Sequence, residues 1–77
     1  MRIEYDREAD AIYIYLSNAK VAYGRDLDNE RRIDYDDNDE PRGLELLCVS
    51  DGVIIDDLPN TEEVGRMLGE RGIRIYA

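Results

Sequence analysis

The chain has no histidine, no tryptophan and no phenylalanine, and only one cysteine among its 77 residues. Without histidine, Ser17, Ser50 and Cys48 lack the base that usually activates such nucleophiles, so nucleophilic catalysis is not expected. A lone Cys48 permits no internal disulfide, and with no histidine to join it, no zinc cluster. Long apolar runs are missing too. Nothing approaches the roughly 20 apolar residues of a membrane span, and the opening "MRIEYDREAD" has no signal-peptide core. A cytoplasmic protein away from membranes is expected. The six glycines never form a phosphate loop. No cofactor and no enzymatic role are expected.

Positive charge is also scarce. Ten basic residues face nineteen acids, for a net charge of −9. From Asp26 to Glu40, eight acids against two arginines give −6. Binding to phosphate backbones needs clustered Lys and Arg, so no nucleic-acid partner is expected. The charge suits a basic protein partner or a cation. Lys20, the only lysine, falls between strand patterns and reads as a turn residue. Residues 1–77 form one domain, and a chain this short has a small core with little to spare.

What is present is alternation. In the first fifty residues apolar and polar positions alternate in twos, the pattern of strands with one buried face. Ile3 and Tyr5 share a face. In "AIYIYL" Ile12, Ile14 and Leu16 take one face and Tyr13 and Tyr15 the other, so this strand is expected to be central or doubly covered. Val21, Tyr23 and Leu27 follow, with Gly24 hinting at a bulge or bend. Ile33 and Tyr35 alternate with Asp34 and Asp36. Leu44, Leu46 and Cys48 then fall in step, which makes Cys48 a small core residue.

After "SDG" the period changes. Val64, Met67 and Leu68 have helical spacing. Asn60 with Glu63 reads as a capping box, Arg71 suits the C-terminal end, and Gly72 suits a left-handed terminator. Gly65 and Gly69, four apart, would let the helix lie close to a sheet. "IRIYA" resumes the alternation, as a short final strand or as a tail that pairs with another molecule. The fold class is therefore α+β: an antiparallel β-meander of four or five strands, then one C-terminal helix packed on the sheet.

The stretch "YDREADAIYIYL" resembles the opening YD-x-x-ADA-x-YI-x-L of the domain-of-unknown-function 2283 family of small prokaryotic proteins. "IDYDDNDEPRGLELL" is similar to that family's acidic turn and glycine-glutamate strand, and the likeness extends more weakly to the helix before "GI". The resemblance implies a small meander-plus-helix domain with no established activity. Through members that look like companions of small toxin genes, it also implies an antitoxin-like role. One departure is Asp39, where the family usually has glycine.

Three groups of residues could carry function. Asp34, Asp36, Asn38, Glu40 and Glu45 have the spacing of a calcium loop. Its glycine position is occupied by Asp39, and strands rather than helices flank it. A hairpin turn over residues 36–41 without a structural metal is the simpler reading: Asp34 and Asp36 on a solvent face, Pro41 and Gly43 in the loop. Carboxylate pairs carry no specificity among nineteen acids. Asp6 and Asp10 bracket the first turn and are expected to cap it through side-chain to backbone bonds. Tyr13 and Tyr15, with Tyr76 near them, are read either as packing under the helix or as a contact patch.

The expected function is that of a small acidic protein-binding module, an antitoxin-like partner of a small basic protein. The alternative is a domain that binds a cation or small ligand through residues 34–45. A homodimer is also expected, with Tyr13, Tyr15, Ile75 and Tyr76 at its contact.

Overall fold

The computed structural model describes residues 1–76. Ala77, the last residue of "IRIYA", lies outside them. Five strands come first: β1 (Arg2–Asp6), β2 (Ala11–Tyr15), β3 (Tyr23–Asp26), β4 (Arg31–Tyr35) and β5 (Pro41–Leu47). A 3-10 turn (Val49–Asp51), a short β6 (Val53–Ile54), the helix α1 (Thr61–Glu70) and a short β7 (Ile75–Tyr76) follow. The first five strands form one antiparallel sheet in the order β1-β2-β5-β4-β3. The α+β architecture thus follows the alternation of the sequence. The order adds what alternation cannot say: a β1–β2 hairpin and a β3-β4-β5 meander join through β2 and β5. β2 is paired on both sides, as its two non-polar faces predict.

The core lies on one face of this sheet. Ile12, Ile14, Ile33, Leu44 and Leu46 are buried there against Val64 and Leu68 of α1, with Val49, Val53, Leu58 and Ile73 closing the edges. Each such side chain contributes roughly 1.5–3 kcal/mol by leaving water. The helix ends in a Schellman motif. Ile73 N–H donates to the Leu68 carbonyl and Gly72 N–H to the Gly69 carbonyl, each at 3.0 Å. Gly72 takes the left-handed φ of 75° that this ending requires. Arg71 Nη1 also donates to the Met67 carbonyl.

The helix start departs from the expected capping box. Asn60 occupies the N-cap with φ 54° and makes no side-chain cap bond. An N-cap side chain reaches the first turn from extended backbone, and left-handed backbone turns it away. Of the two helix glycines, only Gly65 faces a neighbour closely. A Cβ there would lie 3.4 Å from Ile55 Cδ1 and Ile75 Cδ1, whereas at Gly69 it would meet nothing.

Cys48 is not a core residue. Its backbone turns left-handed, φ 54°, so the alternation slips by one and Val49 is buried in its place. The Cys48 thiol is half-exposed, and the neighbouring Glu30 carboxylate, then burial, push its pKa up. Gly24 marks no bulge, since β3 pairs regularly with β4 through it. The register shift lies in the β4–β5 ladder, where Asp34 pairs with Gly43 but Tyr35 with Pro41, leaving Arg42 as the extra residue. Pro41 and Gly43, expected in the loop, belong to β5.

Two contacts fasten the later elements to the sheet. Arg31 Nη1 donates to the carbonyls of Ile54 (2.9 Å) and Asp56 (2.7 Å), while its Nε pairs with Asp28 at 2.8 Å. Asp6 caps the first turn as expected, accepting from Ala9 N–H. Asp10 does something different. Its carboxylate accepts from the N–H and the hydroxyl of Ser50, so it ties the β1–β2 turn to the 3-10 turn. The described part of "IRIYA" folds back within the chain, with Ile75 and Tyr76 running parallel to Val53 and Ile54.

Candidate functional site on the open sheet face

The face of the sheet opposite the helix carries the side chains that alternate with the core. Across neighbouring strands the registers place Glu4, Tyr13, Glu45, Arg32 and Asp26 in one row, and Arg2, Tyr15, Gly43, Asp34 and Gly24 in the next. Both rows are bound together by hydrogen bonds. The Tyr13 hydroxyl donates to Asp34 Oδ2 at 2.6 Å and accepts from Arg42 Nη1 at 3.0 Å. Arg32 Nε pairs with Asp34 Oδ1, and its Nη1 with Asp26. The Tyr15 hydroxyl donates to Glu4 at 2.7 Å. The two rings meet edge to face at 4.8 Å between centroids. The Arg2 guanidinium lies 3.9 Å over Tyr15.

Two residues in β5 make this layer possible. Tyr13 crosses β5 to reach Asp34, and its ring lies where a Cβ at position 43 would be, so only glycine leaves it room. The extra residue Arg42 brings its guanidinium beside the Tyr13 hydroxyl, anchored through Nε on the Ala19 carbonyl at 2.7 Å. The chemistry of the layer is that of a donor. Burial first, and the Asp34 hydrogen bond second, push the Tyr13 phenol up to about 12. Glu4 similarly raises that of Tyr15. Both stay protonated at neutral pH and present hydroxyls, ring edges and guanidinium groups rather than a base.

The calcium-loop residues separate. Asp34 is not on a free solvent face: its side chain is 14% exposed and committed to Tyr13 and Arg32. Asp36 turns the hairpin, its Oδ1 accepting from the N–H groups of Asn38 (2.8 Å) and Glu40 (3.0 Å). Asp39 adopts the left-handed φ of 61° that glycine would favour there, and its carboxylate accepts from the Tyr23 hydroxyl. Asn38 and Glu40 are exposed on the turn, and Glu45 lies on the open face. Among the described residues, no three acidic or cysteine side chains converge to hold a metal ion.

Of the expected contact residues, the structure brings Tyr13 and Tyr15 together and sets Ile75 and Tyr76 apart. Ile75 lies beside Gly65 of the helix and Tyr76 beside Gly52, on the other side of the sheet. The acidic stretch is divided as well. Asp26, Asp28 and Glu30 sit at one end of β4, and Asp36, Asp37, Asp39 and Glu40 at the other, with five strand residues between them. That is roughly 17 Å of strand. Sequence reasoning missed Arg32, Arg42 and Gly43 as members of the layer. Gly43 was the available signal, since an isolated glycine within a strand pattern marks a close approach.

Among the described residues, no helix is long and apolar enough to cross a membrane. A family model described as "Protein of unknown function (DUF2283)" matches residues 2–50. That span contains all five strands of the main sheet, the tyrosine layer and the Asp10–Ser50 tie, and it stops before the helix. No curated protein and no solved structure matches the chain.

Proposed function

The chain belongs to the DUF2283 family, a family described as being of unknown function, and from that premise we propose that it is a protein-binding module for a basic partner. The observation that carries this reading is the tyrosine layer itself. The helix fills one face of the sheet. The other carries Tyr13 and Tyr15, ordered by hydrogen bonds, with no element of the described chain over them. Rigid tyrosines with guanidinium neighbours are the side chains that most often anchor protein contacts. Acids at both ends of β4 flank this face, and the net charge of −9 favours encounter with a basic protein. An antitoxin-like pairing with a small basic protein fits this chemistry.

The test has two steps. Cross-linking in the native host identifies a partner, and titration calorimetry then compares wild type with Tyr15→Ser. The variant is expected to lose at least tenfold in affinity, with the far-ultraviolet spectrum unchanged. Undiminished binding by Tyr15→Ser would place the contact elsewhere. Light scattering over a hundredfold dilution separates this from self-association: a mass near twice the monomer's supports the homodimer, and its loss in Tyr15→Ser would put the tyrosine layer at the contact.

A further inference from the structure

A second surface lies where the β3–β4 turn and the end of β5 approach β6 and β7. Leu47, Ile54 and Tyr76, the apolar walls of this cleft, are 38%, 48% and 43% exposed. The cleft is seated on Gly52, whose φ of 95° and missing Cβ admit the Tyr76 ring. Its volume is about 160 Å³. That is well below the roughly 300–1,000 Å³ of small-molecule sites, and of the order of a single side chain.

The rim is acidic. Glu30 and Asp51 line it, and neither makes an ion pair among the described residues. Arg31, the one cation in the lining among the described residues, is already committed to Asp28 and to two main-chain carbonyls. Arg74 meets the Tyr76 hydroxyl at 3.5 Å but does not line the cleft. The complement of apolar walls with two uncompensated carboxylates is a cation on a hydrocarbon stem. A tyrosine ring beside those carboxylates favours a planar guanidinium, which stacks on rings and forks between oxygens.

We infer that this cleft receives an arginine side chain of a basic protein partner. The inference rests on the reading of the protein as the binder of such a partner, and adds to it a second contact that uses neither Tyr13 nor Tyr15. The arginine stem lies along Leu47 and Ile54, its guanidinium against Tyr76, and its charge between Glu30 and Asp51.

The experiment is a nuclear magnetic resonance titration of the whole chain with N-acetyl-arginine amide. N-acetyl-leucine amide serves as the uncharged control. The expected result is saturable shifts at Leu47, Ile54 and Tyr76, with a Kd on the order of millimolar, as suits so small a ligand. The affinity falls at least threefold in the Glu30→Gln, Asp51→Asn double variant. Both positions are exposed, so the variant's spectrum should otherwise overlay that of the wild type. Equal affinity in the double variant, an equal response to the leucine amide, or shifts centred on Tyr13 and Tyr15 would overturn the assignment. The amide probe does not require the tyrosine layer, so failure here leaves the Tyr15→Ser experiment to stand or fall separately.

Discussion

The Tyr13 hydroxyl donates a 2.6 Å hydrogen bond to the Asp34 carboxylate, joining β2 to β4 across the whole width of β5. The bond makes Tyr13 a lock on the sheet rather than a loose surface ring. Because burial and Asp34 both favour the neutral phenol, ionising Tyr13 opposes folding.

An ultraviolet difference titration should therefore show one tyrosine ionising near pH 12 rather than 10. Tyr13→Phe should remove that last step. The sign for stability follows from proton binding. Between pH 10 and 12 the unfolded chain has lost the Tyr13 proton and the folded chain keeps it. Its stabilising share is complete below about pH 10 and is lost as pH rises through 12. After allowance for solvent screening this is on the order of 1 kcal/mol. A wild-type and Tyr13→Phe pair with identical alkaline denaturation midpoints would contradict the account.

Gly43→Ala should break the same lock from the other side. The added methyl group takes the space of the Tyr13 ring, and the ring must swing away from Asp34. The expected cost is about 1–3 kcal/mol, the range for leaving a half-buried carboxylate short of a donor. Tyr13 should then titrate nearer to 10. Urea denaturation together with the tyrosine titration checks both parts. Loss of stability with the titration unmoved would mean that the methyl clashes elsewhere.

Arg31 should be among the costliest polar residues to replace. Its guanidinium meets Asp28 and the carbonyls of Ile54 and Asp56 at once, and its side chain is 13% exposed. Arg31→Lys keeps the charge but cannot reproduce the fork, so only partial rescue relative to Arg31→Ala is expected. The alanine variant should lose about 2–4 kcal/mol. Hydrogen exchange should speed up first in β6 and β7, which Arg31 fastens to the sheet. Uniform acceleration over the whole chain would count against that local role.

For the acidic hairpin, calorimetric titration with calcium or magnesium at physiological salt should give no binding in the micromolar range. Asp36 Oδ1 already accepts two amide hydrogens within the turn, and Asp34 is held by Tyr13 and Arg32. Micromolar binding abolished by Asp36→Asn would show that these carboxylates can be released to a cation.

What the sequence determined by itself is what depends on near neighbours. Two-residue alternation placed Ile12, Ile14, Ile33, Leu44 and Leu46 on buried faces. Helical spacing placed Val64 and Leu68, and Gly72 ended the helix, because periodicity and backbone freedom act over a few residues. The same locality explains the errors. Cys48 is out of the core because one left-handed residue reverses an alternation, and nothing in "LLCVSDG" marks which residue will turn. Asn60 looked like a cap because its type is right, while its backbone is not. Tertiary structure alone decided that β5 would lie between β2 and β4. That order brings Tyr13 to Asp34, while the pairing of β7 with β6 holds Ile75 and Tyr76 apart from Tyr13. Pairing between strands is set by which buried faces can close together, at loop-closure costs that rise only slowly with length. Residues 21 apart, such as Tyr13 and Asp34, can therefore become partners without any local sign of it.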